Sequence, residues 1–388
     1  ENPLIQLDRF ANFSIALVCG AALLSCLLSV AYLAELRINH GEYYALILLA
    51  TAGMVLLVSA VDLISVFLGI ELMSIPIYVL AGFDRRKLRS NESALKYFLV
   101  GSFASALLLY GMALIYGVTG STKLTEIGIY LNAHGSLLDN PMTLAGIVLL
   151  SIGFLFKIAA APFHMWTPDV YEGAPTPVTA FMSAGPKAAA FAAFLRIMEY
   201  CFFSLKPEWT AMLWVLAVLT MIVGNVIAIS QTNIKRMLAY SSIAHAGYAM
   251  VGMVAANEIG YSGILFYMLA YTFMNVGAFA VLVLAGKKGE DNLTLEGFSG
   301  FGYKRPFLGV AMAIFLFALM GLPPTAGFAG KFFIFAGAVK AGYIWLAIIG
   351  VLNSAVSLYY YLRVMVYMYF RDPAEDYAWV SLPATVVI

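Results

Sequence analysis

Apolar runs of about 20 residues recur along this chain, and each is long enough to cross a hydrocarbon core about 30 Å thick. Lipid offers no hydrogen-bond partner to a backbone amide, so a run that crosses it must satisfy its own backbone groups, as an α-helix does. Eleven such runs can be read between residues 11 and 370 of the 388-residue chain. The sequence therefore predicts an all-α polytopic membrane protein, with residues 1–388 forming a single transmembrane domain.

The composition agrees with this fold class and excludes several functions. Hydrophobic residues make up 62% of the chain and charged residues 11%, against about 45–50% and about 25% in soluble domains. The net charge of +1 and the lack of a basic stripe argue against a nucleic-acid partner. Cys19, Cys26 and Cys201 lie inside apolar runs without CxxC spacing, so we expect small core residues rather than disulfides, zinc or iron–sulfur ligands.

The eleven predicted spans alternate with polar loops. The spans cover residues 11–36, 43–59, 60–82, 92–118, 142–164, 176–203, 209–231, 236–256, 259–285, 306–339 and 341–370. The chain begins at Glu1 without a methionine and stops inside a further apolar stretch at Ile388, so we expect both ends to be truncated.

Positive charge is retained in the cytoplasmic loops of membrane proteins. Twelve loop Lys and Arg residues fall in one set of alternate loops and four in the other, which places the first set in the cytoplasm and residue 1 outside. The cytoplasmic set is Arg37, Arg85, Arg86, Lys87, Arg89, Lys235, Arg236, Lys287, Lys288, Lys304, Arg305 and Arg371, and the external set is Arg9, Lys123, Lys206 and Lys340.

Two of the spans are predicted to be interrupted. The run from Pro306 to Val339 has 34 residues, about 51 Å as one helix, and Pro323 and Pro324 remove amide donors within it. The run at 142–164 likewise passes through Pro162 into a Pro- and Gly-rich stretch. Interrupted helices in corresponding halves are typical of inverted repeats around an ion path. We therefore expect two five-helix inverted repeats, about 43–203 and about 209–370.

Four charged residues lie well inside predicted spans, namely Glu71, Lys157, Lys187 and Lys331. A charge at the bilayer centre costs about 2.5–3.5 kcal/mol on insertion scales unless it is paired or hydrated. Burial disfavours the ammonium form of lysine and a nearby carboxylate favours it, so a lysine between these influences can exchange protons near neutral pH. Proton transfer is the favoured interpretation, and salt bridges that only pair helices are the alternative.

Further titratable groups extend this set. Lys96 lies nearer the cytoplasmic end of its span, and is predicted either to pair with Glu71 or to reach the interface. His164 lies at a helix break and His245 in mid-span; an unperturbed histidine titrates near pH 6.5. Each histidine alone is typical of a hydrogen-bonded core residue, but together with the lysines they indicate a horizontal polar file joined by water.

The other charged residues are predicted to have structural roles. Asp169, in the loop that follows a break, is typical of a turn or cap. Arg196 and Arg363 lie near span ends and are expected to anchor helices. The sequence has no phosphate loop, dinucleotide-binding glycines, hydrolase triad or metal-ligand motif, so we expect no metal, cofactor, redox or hydrolytic site in this chain.

Four segments carry a family resemblance over nearly the whole chain. They are Gly69-Ile-Glu71-Leu-Met-Ser74, Pro162-Phe-His164-Met-Trp-Thr-Pro-Asp169-Val-Tyr-Glu-Gly-Ala-Pro-Thr-Pro177, Gln231-Thr-Asn-Ile-Lys235-Arg-Met-Leu-Ala-Tyr-Ser-Ser-Ile-Ala-His245 and Gly321-Leu-Pro-Pro-Thr-Ala-Gly-Phe-Ala-Gly-Lys331. They resemble the antiporter-like membrane subunits of the proton-pumping NADH:quinone oxidoreductase, respiratory complex I, and the second and third resemble its subunit N branch more than M or L.

The resemblance implies a role for each matching residue. Glu71 matches the acid of the family's fifth helix and Lys96 the lysine of the sixth, while Lys157, Lys187 and Lys331 match the lysines of the broken seventh, the eighth and the broken twelfth helices. The family has fourteen helices against the eleven predicted here, which implies missing terminal helices.

The resemblance also implies the setting of the chain. It would translocate protons in a bacterial inner membrane beside sister antiporter-like subunits, driven by quinone reduction. FMN, iron–sulfur clusters and quinone would be bound by other subunits of the complex. Two alternatives stay open: a subunit of a multi-chain cation/proton antiporter or membrane-bound hydrogenase, and a structural membrane spacer without transport.

Overall fold

The computed structural model describes residues 4–134, 140–286 and 294–372, and within these ranges the regular structure is helical. The helices are α1 Arg9–Glu35, α2 Gly41–Ser59, α3 Leu63–Ala81, α4 Leu88–Thr119, α5 Leu124–Ala133, α6 Pro141–Lys157, α7 Trp166–Gly173, α8 Thr176–Cys201, α9 Lys206–Ser230, α10 Ile234–Ala255, α11 Glu258–Ala285, α12 Phe301–Lys304, α13 Pro306–Met320, α14 Ala326–Lys340 and α15 Ile344–Phe370. Lys287 and Lys288, which entered the orientation argument, lie outside the described residues.

The all-α polytopic membrane fold is confirmed. Eight of the helices are long and apolar enough to cross a membrane: α1 to α4, α8, α9, α11 and α15. Three other predicted spans correspond to α10, to α6 with the break after it, and to the pair α13 and α14. Helix α8 lies at the centre of the bundle, because its apolar segment is completely buried by its neighbours.

Both interruptions contain proline. Helix α6 ends at Lys157, seven residues before the predicted end of its span at 164; Ala159 then has a φ of 60°, and Pro162 and His164 lie between α6 and α7. Helix α13 ends at Met320 and is capped by Gly321, whose φ of 82° favours glycine, and Pro323 and Pro324 precede α14. Thr325 then caps α14 by accepting a hydrogen bond from the Phe328 amide.

Corresponding contacts recur 171 positions apart. An added Cβ at Gly53 would lie 2.2 Å from the backbone N of Met73, and one at Gly224 would lie 2.5 Å from the backbone N of Ala244. Helices α2 and α3 therefore approach through Gly53 in the same way as α9 and α10 approach through Gly224. At the same spacing Asp62, the N-cap of α3, forms an isolated bridge with Lys123, and Asn233, the N-cap of α10, forms one with Thr294.

The cysteines differ in their surroundings. Cys201 is buried and Cys26 is partly buried, as small core residues should be, but Cys19 is exposed. The prediction was wrong for Cys19, because it lies on a face of α1 that the other described helices leave uncovered. An apolar run alone does not tell which of its faces packs inward.

Candidate functional site

Lys157 is buried at the end of α6 against hydroxyl groups of α3. Its Nζ donates to Ser74 Oγ over 2.7 Å and to Tyr78 Oη over 3.4 Å, and only 6% of the residue is exposed. Glu71, one turn before Ser74, attracts this ammonium electrostatically. The Glu71 Oε1 atom is itself buried and has no hydrogen-bond partner among the described residues. Glu71 therefore lies near the Lys157 ammonium and keeps one carboxylate oxygen without a hydrogen bond to the described residues.

Lys187 lies midway along the central helix α8 and is 2% exposed. Its Nζ donates to the backbone carbonyl of Ser242 over 2.9 Å and also to the Ser242 hydroxyl. Within the described part of the chain no ion pair includes this lysine. The Lys187 ammonium is thus solvated by neutral dipoles rather than by a carboxylate, and dipoles hold a proton less firmly than a fixed negative charge does.

His245 lies in α10 between two tyrosines from other helices. Its Nδ1 is 2.5 Å from Tyr267 Oη of α11, and its Nε2 is 3.1 Å from Tyr361 Oη of α15. A neutral imidazole donates from one nitrogen and accepts at the other, so both hydrogen bonds are satisfied in either tautomer. His245 also lies close enough to Lys331 and to Lys187 to interact electrostatically with both.

Lys331 sits just past the break between α13 and α14. Its Nζ donates to the carbonyls of Leu319 and Met320 over 3.2 and 2.9 Å and to Ser354 Oγ over 2.7 Å. The two carbonyls are the unpaired C-terminal groups of α13, the negative end of the helix dipole, which stabilises a cation. The ammonium also lies 4.6 Å from the Tyr248 ring centroid. The break in the helix therefore supplies a partial negative charge to Lys331, which forms no ion pair with the acids of the described ranges.

An open groove adjoins Lys331. It has a volume of about 720 Å³, lies between α14 and α15, and is lined mainly by apolar side chains, with Lys331 and Ser354 at its floor and Lys340 at its rim. The lysine is thus reached from the face of the bundle that these two helices form.

Lys96 has different partners from those predicted. Its Nζ lies 2.6 Å from Glu92 Oε1 and 3.0 Å from Asp169 Oδ2, and its side chain is 44% exposed. It therefore pairs with these two acids rather than with Glu71, because it lies close to the end of α4 at which Glu92 and α7 meet. Lys96 was predicted either to pair with Glu71 or to reach the membrane interface, and its exposed side chain agrees with the second position.

Asp169 belongs to an ionic cluster that sequence analysis missed. It accepts from Arg236 over 2.7 Å and from Lys96, and Glu172, one turn along α7, accepts from Arg236 over 2.9 Å and lies 3.3 Å from Arg89. The cluster joins α4, α7 and α10 around a pocket of about 200 Å³. The spacing of Asp169 and Glu172, three residues apart on one face of α7, could have indicated this cluster from the sequence.

Arg196 and Arg363 anchor helix ends, and His164 lies in the break between α6 and α7. His164 is half-buried in the α6–α7 break, and its Nδ1 has no hydrogen-bond partner among the described residues. Arg196 donates to both oxygens of Asp8 over 2.9 and 3.0 Å, and Arg363 donates to the carbonyls of Ile229 and Gln231 at the end of α9. Both arginines therefore join helix ends. In the described ranges no group of three His, Cys, Asp or Glu side chains could hold a metal ion.

Comparison with known sequences finds one family. Residues 60–357 match the family described as NADH:quinone oxidoreductase/Mrp antiporter, transmembrane. A relative from Trichlorobacter lovleyi, NADH-quinone oxidoreductase subunit N, is 59% identical over 99% of this chain and 79% of its own length. A second relative, NADH-quinone oxidoreductase subunit N 1 from Herpetosiphon aurantiacus, is 47% identical over 100% of this chain and 80% of its own.

Solved structures give the same picture. A chain of respiratory complex I from Thermus thermophilus with bound aureothin has a TM-score of 0.82 and 39% identity, and the match covers 96% of this chain and 80% of that one. A chain of the Mrp complex from Dietzia sp. has a TM-score of 0.83 and 26% identity, with 95% and 68% covered. A chain of the archaeal membrane-bound sulfane sulfur reductase has a TM-score of 0.87 and 26% identity, with 99% and 77% covered.

Proposed function

Because the chain belongs to the NADH:quinone oxidoreductase/Mrp antiporter family of membrane subunits, we propose that it is the proton-translocating subunit of the N type in an NADH:quinone oxidoreductase. Its neighbours in that complex are other membrane subunits, including sister antiporter-like subunits. FMN, the iron–sulfur clusters and quinone are bound elsewhere in the complex. The chain itself moves protons.

The observation that carries this proposal is the set of partners around the buried lysines. Lys157, Lys187 and Lys331 are each at least nine-tenths buried in an apolar bundle, and their hydrogen bonds go to hydroxyls and backbone carbonyls. A purely structural lysine at such depth is normally neutralised by an acid. Apart from the attraction that Glu71 exerts on Lys157, these ammonium groups are stabilised by neutral dipoles, which hold a proton less firmly than a contacting carboxylate would, as proton carriers require.

Glu71 and Lys157 explain how the arrival of one proton can drive the release of the next. While Glu71 is ionised it attracts the Lys157 ammonium and holds its proton. When a proton reaches Glu71, that attraction disappears and burial favours release of the proton from Lys157 toward the interior. Lys187, His245 and Lys331 then provide successive acceptors, ending beside the groove between α14 and α15. Lys96 and His164 are further proposed carriers, near the α4–α7 ionic cluster and the helix break.

The energy for this transport comes from outside the chain. Moving one charge against 100 mV costs about 2.3 kcal/mol, and we assign the supply of that free energy to quinone reduction on other subunits. The proposed setting is a bacterial inner membrane, with the Arg85–Arg89 and Lys287–Arg305 loops in the cytoplasm.

The recurring contacts at a spacing of 171 positions support two inverted repeats, about 43–203 and about 209–370. Each repeat contains one broken span, α6 with α7 in the first and α13 with α14 in the second. An odd number of spans in each repeat inverts the second relative to the first, so the two repeats can offer half-channels that open to opposite sides.

A subunit of a multi-chain cation/proton antiporter is the second candidate, favoured by the structural likeness to the Mrp chain. Purification of the native complex separates the two. A flavoprotein arm that oxidises NADH in the purified complex supports the proposed function, whereas a complex without one supports the antiporter. A structural spacer is disfavoured by the partners of the buried lysines.

The test replaces Lys331 by Ala in the assembled complex and measures proton pumping per NADH oxidised in proteoliposomes. The expected result is a several-fold fall in pumping, because the last acceptor of the file is missing. Lys340→Ala is the matched control, since Lys340 is exposed on the same helix at the rim of the groove. Unchanged pumping by Lys331→Ala would show that the buried lysines only pair helices.

A further inference from the structure

The spacing of 171 positions equates particular residues of α3 and α10. Counted from the N-caps Asp62 and Asn233, Glu71 of α3 corresponds to Ser242 of α10, and Ser74 corresponds to His245. In the first repeat Ser74 accepts a hydrogen bond from Lys157, and Glu71 attracts the same ammonium electrostatically. In the second repeat Ser242 contacts Lys187. Each helix thus presents its ninth residue after the cap to a buried lysine, as a carboxylate in one repeat and as a hydroxyl in the other.

The Ser242 hydroxyl lies in a group of phenolic hydroxyls. Tyr171 of α7 and Tyr271 of α11 both interact with Ser242 through their Oη atoms. Both tyrosines are fully buried, yet neither Oη has a hydrogen-bond partner of satisfactory geometry among the described residues. Buried hydroxyls are nearly always hydrogen bonded, so two of them beside Ser242 without a well-aligned partner indicate a place where hydrogen bonds can be exchanged.

Tyr271 extends from this group toward His245. Its ring centroid is 5.1 Å from that of the imidazole, and its hydroxyl interacts with Tyr361, whose own hydroxyl lies 3.1 Å from His245 Nε2. Ser242 belongs to the second repeat and Lys187 precedes it in the first, so this row of hydroxyls lies on the boundary between the two proposed repeats.

We propose that the hydroxyls of Ser242 and Tyr271 relay the proton between Lys187 and His245, joining the two repeats. The inference rests on the proposed function and names the groups that connect its carriers. An ammonium N–H bond of Lys187 breaks as its proton binds Ser242 Oγ, and the Ser242 proton passes to Tyr271 Oη. The Tyr271 proton passes through the Tyr361 hydroxyl, with bridging water where the gap needs it, to form the N–H bond of an imidazolium at His245 Nε2. Each hydroxyl receives one proton and releases one, so no charge stays on the relay and no electron moves.

A hydroxyl suits this position better than a carboxylate. In a dry interior a carboxylate beside Lys187 would form a tightly held ion pair and keep the proton on the lysine. A neutral hydroxyl accepts a hydrogen bond from the ammonium without adding charge, so Lys187 can release its proton toward the second repeat. A carboxylate thus controls proton release only in the first repeat, where Glu71 acts on Lys157. Neutral hydroxyls carry the proton across the boundary between the repeats.

The decisive variant is Tyr271→Phe in the assembled complex, because it keeps the ring and removes only a hydroxyl that has no well-aligned hydrogen-bond partner among the described residues. Pumping driven by NADH is expected to fall about tenfold or more, since a positioned proton-transfer group contributes on the order of 100-fold. Tyr43→Phe is the matched control: Tyr43 is fully buried far from the relay, with its hydroxyl 2.8 Å from Ser29. Wild-type pumping by Tyr271→Phe overturns the proposal.

Ser242 provides the second measurement. Ser242→Ala should reduce pumping and raise the solvent deuterium isotope effect, and Ser242→Thr, which restores a hydroxyl, should recover both. A Thr variant that assembles but pumps no better than the Ala variant contradicts the relay. Lys187→Ala separates the two levels of inference. If it pumps normally the proposed function fails, whereas if it alone is impaired while Ser242→Ala and Tyr271→Phe pump normally, only the relay fails.

Discussion

Replacing Gly224 by Ala tests how tightly helix packing sets the proton file. The added Cβ would lie 2.5 Å from the backbone N of Ala244 and 2.9 Å from its Cα. Carbon atoms in contact need about 3.5 Å or more, so α9 and α10 must separate by about 1 Å. Overpacking of this kind costs about 1–3 kcal/mol.

The same displacement reaches the site, because α10 carries Ser242 and His245. A shift of α10 by about 1 Å is enough to disturb the 3.1 Å hydrogen bond between His245 Nε2 and Tyr361 Oη. We therefore expect both a lower midpoint of thermal inactivation and reduced pumping in the assembled Gly224→Ala complex.

Gly20→Ala is the control, since an added Cβ at Gly20, also inside a helix, meets nothing within 4 Å. It should leave pumping unchanged and keep or raise the thermal midpoint, because alanine is the better helix former by about 1 kcal/mol. The reasoning is refuted if Gly224→Ala matches Gly20→Ala in both measurements.

Two further predictions concern charged groups outside the file. Burial acts to raise the pKa of the Asp8 carboxyl, but hydrogen bonds from Arg196 and the Ala11 amide outweigh it and lower that pKa below its usual value. Asp8 therefore stabilises the fold above its unfolded pKa of about 3.9, and this is lost as pH falls through the lower folded value. The thermal midpoint of Asp8→Asn should lie below wild type at neutral pH and converge with it in acid; a constant difference would contradict this. Arg236→Met should destabilise more than Arg89→Met in thermal unfolding, because Arg236 neutralises both Asp169 and Glu172, whereas Arg89 is more exposed and its pair with Glu172 should contribute about 0–1 kcal/mol; equal effects would contradict it.

Much of the site could be read from the chain because intramembrane charge is conspicuous. Glu71, Lys157, Lys187 and Lys331 stand out against apolar neighbours, whatever they contact. Their partners could not be read in the same way. Lys187 contacts Ser242, 55 positions away, and His245 contacts Tyr361, 116 positions away. Serine and tyrosine are common in membrane helices, so nothing local marks those that face a lysine.

The partners of Lys96 and Asp169 also could not be identified from the sequence. Sequence reasoning considered Glu71 as the partner of Lys96 because both lie in neighbouring spans, and placed Asp169 in a turn because it follows a break. The packing of α7 between α4 and α10 brings Asp169 to both Lys96 and Arg236 instead. Which acid meets which base depends on the depth and rotation of each helix, and many rotations bury an apolar run equally well.

The amino-acid sequence by itself determined that the chain folds in a lipid bilayer. It also determined the number of apolar runs, the positions of the breaks and the charges that the bilayer must accommodate. These follow from properties of single segments, namely length, hydropathy and proline content. Only the tertiary structure decided that the buried lysines are held by hydroxyls and carbonyls and that Ser242 stands where Glu71 does. Those facts depend on distances of 2 to 4 Å between helices remote in the chain, which close packing of glycines and side chains fixes and no single segment encodes.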